Sequence, residues 1–278
     1  MTSRRYSLLL ISPALLMLTG LFLYPLVFSL LWAFRIEETM SWGLENFTKA
    51  FSLYSKDVLF TLIIVSLSTL LIGIIATAIS GYLTLGENRI AVALLRWLYR
   101  WPLFIPFVVA AQLMRTFLAK NGMLNNIIVS TGLMEPLQAT SFLDWRGIII
   151  TFVWKQTPFV ALLLAGAMAS VDRSTFDAAR NMGAGRLRIL WEIALPQVTT
   201  TLMVGLVLSF VTMMSVLSVP LMINAQTPTM ITVDMAWRIN SYADYGVANA
   251  LGVIAYAITA IVAWIYLRNG LAENGASR

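Results

Sequence analysis

Residues 174–196 read Ser174-Thr175-Phe176-Asp177-Ala178-Ala179-Arg180-Asn181-Met182-Gly183-Ala184-Gly185-Arg186-Leu187-Arg188-Ile189-Leu190-Trp191-Glu192-Ile193-Ala194-Leu195-Pro196. This charged, glycine-marked stretch lies between two long apolar runs, 147–171 and 199–222. Asp172 or Ser174 is placed to cap a short helix, because such side chains accept from the free N–H groups of a first turn. Asp177 suits the positive end of that helix. Ala178 and Ala179 are strong helix formers, and a face of alanine lets another surface approach closely. Gly183 ends the helix or makes a tight turn. A second amphipathic helix, 186–195, then leads to Pro196 and back into apolar sequence. The result is a short helix-turn-helix displayed on one face of a membrane. The plainer reading of the same pattern is an interfacial helix that covers lipid headgroups.

Working outward, six uncharged or nearly uncharged runs are long enough to span a bilayer: 7–34, 58–85, 101–119, 147–171, 199–222 and 247–267. A span needs about 20 apolar residues. The chain has 278 residues, 59% apolar and 12% charged. A soluble domain is about 45–50% apolar and about 25% charged, so a soluble enzyme is excluded. The fold class expected is all-α: a polytopic membrane protein of six transmembrane helices forming one domain over residues 1–278. The first run is too long for a signal-peptide core and no small-x-small cleavage site follows it, so it is read as a helix. Kinks are expected at Pro25 and Pro158.

With the N-terminus inside, the inside segments carry 11 Lys and Arg and the outside loops carry 6. That bias places both termini and the connection 172–198 in the cytoplasm. In the outside loops, Asn121-Gly122 marks a turn before a short helix over Leu124, Ile127, Ile128 and Leu133. Residues 229–241 pattern as a second one, after a turn at Thr227-Pro228. Trp101, Trp145, Trp237 and Tyr245 fall near the interfaces, as anchoring aromatics do.

The chain has no Cys and no His. Thiol nucleophiles, disulfides, Cys/His zinc sites and His-dependent triads are therefore excluded. No Lys follows a Gly, so no P-loop is present, and any ATP must be bound by another chain. The charge of +6 fits arginines that set topology rather than a nucleic-acid surface. None of the six runs contains Asp or Glu, which argues against a proton relay and against general acid–base catalysis. Two cations lie within them. Arg115 sits near an end and can snorkel. Lys155 lies deeper, roughly 12 Å along its helix. It has to face a cavity, a partner chain or backbone carbonyls, or else snorkel; Gln156 is taken with it as a candidate for a substrate path. Ser209, Thr212 and Ser215 recur every three residues on one face of the fifth run, either as helix-packing hydroxyls or as a polar lining of the same path. No metal site and no catalytic residue is read.

The quoted stretch resembles the cytoplasmic loop of the inner-membrane permeases of binding-protein-dependent ABC importers, which reads Glu-Ala-Ala, three residues, Gly, nine residues, Ile, one residue, Leu-Pro. Here Asp177-Ala178-Ala179 is followed by three residues and Gly183, then by nine and Ile193, then by Ala194 and Leu195-Pro196. Every spacing agrees, and Asp177 stands for Glu. Val153-Trp154-Lys155 with Pro158-Phe159, and Tyr245 to Leu251, resemble flanking stretches of maltose-type and polyamine-type permeases, so the likeness runs from about Asn46 to Arg268.

The resemblance implies a type I importer bundle in a bacterial cytoplasmic membrane, with two permease subunits sharing one translocation path. It implies two ATP-binding subunits that hold ATP and Mg, an external solute-binding protein, and no cofactor in this chain. It assigns Asp177, Ala178, Ala179, Arg180, Met182, Gly183 and Ala184 to a coupling helix and its turn, moved as a rigid lever on a bistable bundle. Two rivals remain: an ion-coupled secondary carrier, which calls for internal repeats and broken helices, and a membrane-embedded enzyme, which calls for a titratable cluster at membrane depth. The substrate is read as polyamine-like, the lean of Val219-Pro220-Leu221-Met222, or sugar-like. A path-lining Lys155 disfavours a cation.

Overall fold

The computed structural model describes residues 2–36, 40–224 and 226–276, among which thirteen α-helices form. α1 (Thr2–Leu18) and α2 (Tyr24–Ala33) join through a π turn at Thr19–Leu23. Pro25 accounts for the turn. It lacks an N–H for the carbonyl four residues back, and its ring crowds that carbonyl. Widening the turn relieves the clash, and the Tyr24 N–H reaches the Thr19 carbonyl instead.

The same device joins α9 (Arg186–Ile189) to α10 (Leu195–Ser215) through a π turn at Leu190–Ala194, just before Pro196. The helix therefore does not stop at Pro196. Arg186–Ser215 runs as one 30-residue candidate span, where the sequence reading has a surface helix followed by a span from residue 199.

α3 (Glu45–Leu85) has 41 residues, about 60 Å at 1.5 Å per residue. It outruns the hydrocarbon layer and starts well before the expected residue 58. After a turn at Asn88, whose side chain accepts from Ile90 and Ala91 N–H, comes α4 (Arg89–Leu98). The third expected span then breaks. The chain bends by 109° between Arg89–Phe104 and Phe107–Ser130, at Pro102 and Pro106. Beyond the bend lie α5 (Phe107–Leu118) and α6 (Met123–Ser130). α7 (Trp145–Ala169) continues unbroken through Pro158. α8 (Arg173–Asn181) precedes α9. α11 (Ser218–Ile223), α12 (Ile231–Tyr242) and α13 (Tyr245–Ala276) complete the chain. The short helices expected after Asn121-Gly122 and after Thr227-Pro228 are α6 and α12. Among the described residues five helices are long and apolar enough to cross a membrane, six if the bent pair counts as one span.

The main core lies between α3, α7, α10 and α11, around Ile72, Phe152, Val160 and Met213. Small residues let these helices approach closely, as is usual in bilayers. A Cβ added at Gly81 of α3 would lie 2.7 Å from the Leu190 side chain, and one at Gly205 of α10 would lie 3.3 Å from Val160. Ser80 donates to the Ala161 carbonyl at 3.0 Å and ties α3 to α7. Two smaller clusters close the ends of the bundle. One gathers Leu85, Leu164, Phe176, Ile189 and Leu190 at the α8 end. The other gathers Ala33, Ala50, Ile231 and Val247 at the α12 end. Apart from Ala33, Leu10–Ala33 stands outside the core: none of its most apolar stretch is buried, against 61% for α7.

Candidate functional site

α8 is built from local signals. Asp172 is its N-cap and accepts from the Ser174 N–H at 3.0 Å. The Ser174 backbone N–H, and then its hydroxyl, hold the Asp172 carboxyl below the usual carboxylate range. At the other end Gly183 has φ +83°, a conformation that costs residues with a Cβ. Its N–H donates to the Arg180 carbonyl at 2.9 Å, and the Ala184 N–H reaches back to Ala179 at 3.0 Å. That pair of bonds is the glycine-closed helix end known as a Schellman motif.

Phe176 (5% exposed) and Ala179 (2%) point into the chain's own cluster with Met168, Ile189 and Leu190. Ala179 is thus not part of an open alanine face, as the sequence reading has it; three residues on from Phe176, it shares the inward side. Asp177, Ala178, Arg180, Asn181, Met182 and Gly183 are exposed, and Ala184 is half-buried. Arg180 pairs with Asp177 at 3.4 Å. Met182 is 83% exposed. The unit is a short rigid helix, anchored by one aromatic and presenting charge and a methionine outward.

The path candidates do not form one site. Lys155 is 7% exposed, and its ammonium lies 5.1 Å from the Phe107 ring centroid. It therefore sits inside the bundle in a cation–π contact rather than reaching for headgroups. Gln156 and Thr157 beside it are buried. Ser209 is fully buried and its hydroxyl has no partner among the described residues. Thr212 is half-buried and bonds the Leu208 carbonyl, while Ser215 is exposed and bonds the Thr212 carbonyl. Three residues turn a helix by about 300°, so Ser209 and Ser215 lie about 120° apart and line no common wall. Arg115 is exposed in the last turn of α5.

Residues 69–268 match the family described as the binding-protein-dependent transport system inner membrane component. The chain belongs to this family. This permease is 26% identical to the sulfoquinovosyl glycerol transport system permease protein SmoG of Agrobacterium fabrum, over 95% of this chain and 90% of that one. It is also 26% identical to the trehalose/maltose transport system permease protein MalF of Thermococcus litoralis, over 84% of this chain and 81% of that one. Its fold matches a chain of the crystal structure of a bacterial alginate ABC transporter in complex with alginate pentasaccharide-bound periplasmic protein. The TM-score is 0.80 with 21% identity, covering 95% of this chain and 93% of that one.

The permease also holds two carboxylates that the sequence reading leaves out. Taking Val58 as the start of a span sets Asp57 outside it, but α3 continues through this residue and Asp57 is 5% exposed. Asp57 accepts from the Thr229 N–H at 2.8 Å, and the Thr61 hydroxyl accepts from the Ile231 N–H at 2.9 Å. α3 thereby caps the start of α12, whose own N-cap position is Met230. Asp234 of α12 is 5% exposed, and its Oδ2 has no partner among the described residues. Burial, and then the Asp57 charge, push Asp234 up to about 7 against the opposing Arg238 charge. Arg238 is itself taken by the Tyr54 hydroxyl at 2.6 Å and Asp244 at 3.1 Å.

Proposed function

We propose that this chain is one of two permease subunits forming the translocation path of an ATP-driven importer, and that α8 couples it to a separate ATP-binding subunit. The observation that carries this reading is the build of α8. Phe176 and Ala179 fix it to the bundle, Gly183 closes it, and Asp177, Ala178, Arg180 and Met182 are exposed to a partner. A rigid exposed lever joined to packed helices is what a rigid-body switch requires. In this reading α8 and both termini are cytoplasmic, in keeping with the arginine bias. ATP and Mg belong to two partner ATPases and this chain needs no cofactor. A solute-binding protein delivers substrate at the α12 end.

The solute we favour is a carbohydrate rather than a polyamine. SmoG and MalF carry sugar-type substrates in their names, and the buried cation Lys155 disfavours a cationic solute near it.

The test is affinity purification of the tagged chain in mild detergent, with every accompanying chain identified by mass. A P-loop ATPase in stoichiometric amount is expected. A chain that purifies alone and still moves solute in ATP-free vesicles overturns the proposal in favour of an ion-coupled carrier. Gly183→Leu forces a Cβ into a left-handed turn at roughly 1–2 kcal/mol; it should leave insertion intact and lower transport and ATPase recovery together.

A further inference from the structure

A cavity of about 620 Å³ lies between the end of α3, α4, the end of α7 and α8. Arg96 and Arg100 reach it from the α4 side, and Arg173 and Arg180 from α8. The one acid in its lining is Asp177, already paired with Arg180 at 3.4 Å. Four guanidiniums therefore face one carboxylate, an excess of three positive charges. Arg96 and Arg173 make no ion pair among the described residues. Arg100 donates to the hydroxyl of Tyr99, another lining residue, at 3.2 Å.

Topology-setting arginines ordinarily scatter along the surface, each in its own water. Here four arginines, each exposed, line one concavity from separate elements, and an anion among them would relieve their mutual repulsion. Every cation in the lining is arginine. Its planar fork matches phosphate oxygens two at a time, and such charge-assisted pairs are the strong ones. A lone carboxylate would leave most of the excess charge uncompensated, whereas a phosphate ester carries up to two charges and three or more acceptor oxygens.

α4 sets the level of the site. Ile90 is 80% exposed, Leu94 54% and Trp97 58%. The 109° bend turns this helix across the direction of the next one. An exposed apolar face of this kind suits the membrane interface, the depth of lipid phosphates and one open to solutes.

We propose that this cavity binds a phosphate-bearing anion, either a lipid headgroup or a soluble phosphate, and that the bound anion braces α8 against α4. Naming α8 the coupling helix rests on the proposed function; anion binding at the cavity does not, and ATPase recovery in the purification tests the one while anion titration tests the other.

The experiment uses the permease purified with the subunits that accompany it. One arm titrates inorganic pyrophosphate into the detergent-solubilised complex by calorimetry. The other reconstitutes it in phosphatidylcholine nanodiscs with or without phosphatidylglycerol, and counts retained lipids by native mass spectrometry. Saturable binding in at least one arm is expected. Arg96→Gln with Arg173→Gln should weaken it by about tenfold or more, since two charge-assisted contacts are lost. Arg89→Gln, on α4 but outside the lining, should leave it unchanged. If the double variant aggregates, Arg173→Gln alone should give a smaller loss in the same direction. Retained phosphatidylglycerol without a pyrophosphate response assigns the anion to lipid, and the reverse assigns it to a soluble phosphate. The proposal falls if neither probe binds saturably or if the variants bind like the wild type. It also falls if the isolated permease binds and the ATPase-bound complex does not, which would give the cavity to an acidic surface of the ATPase.

Discussion

α8 and α12 are both short helices outside the long spans, one at each end of the bundle, and they treat charge in opposite ways. α8 turns Asp177 and Arg180 to the outside and anchors itself with Phe176 and Ala179. α12 turns Asp234 inward and borrows its caps from Asp57 and Thr61 of α3. The first carries its own cap; the second has the backbone N–H groups at its start capped by another helix. In the proposed coupling role, α8 gains by carrying its own caps and keeping its charged side chains exposed.

The contrast is broken most severely by Phe176→Ala. Removing a buried aromatic costs about 3–5 kcal/mol, and here it removes the main anchor of α8. Transport should fall to background while the chain still inserts. Limited proteolysis near Arg180 should become faster. If transport persists, α8 is held by something other than its inward face.

At the opposite end, Asp57→Ala should cost less. It strips the acceptor from the Thr229 N–H and leaves a buried donor unpaired, about 1–3 kcal/mol. A lower melting temperature in detergent is expected, with hydrogen exchange raised in α12 and unchanged in α8. Equal protection changes at both ends would mean that the two ends are not independent units.

Asp234 sharpens the comparison through pH. Its carboxyl sits at about 7 in the fold against an ordinary 3.8. The folded state then holds more protons than the unfolded state, so stability falls as pH rises across that interval. The contribution is complete below about pH 4 and lost by about pH 7. Asp234→Asn, neutral at every pH, should flatten the dependence of the melting temperature between those limits. A variant that melts with the wild-type pH profile would place the proton elsewhere.

The smallest effect is expected at Arg188. Its pair with Glu192, at 2.8 Å, is fully in solvent, and such pairs contribute little. Arg188→Gln should leave the melting temperature unchanged in detergent. A measurable drop would show that this surface is covered in the assembly.

The readable parts of the molecule are those whose causes lie close together in the chain. Asp172 and Gly183 fall within one short stretch, so the cap and the glycine turn of α8 were visible as a pattern. The apolar runs gave the number of spans for the same reason. Their ends were less visible. A charged residue such as Asp57 reads as a boundary, because nothing nearby offers it a partner; that partner, the N–H of Thr229, is 172 residues away. The π turn before Pro196 misled in the other direction, since that proline reads as a stop and the helix widened instead.

The sequence by itself determined that the chain lives in a bilayer, that it forms about six helical spans, and that one polar loop carries the family's spacing. Composition, period and short-range capping set these, and each acts within a few turns of helix. The tertiary structure alone decided that Ala179 faces inward, that Ser209 and Ser215 part company, that Lys155 lies over Phe107, and that Asp57 and Asp234 are buried together. It also decided that four arginines share one cavity. Such meetings depend on how helices pack side by side, and side chains from distant parts of the chain acquire a common environment only when that packing is complete.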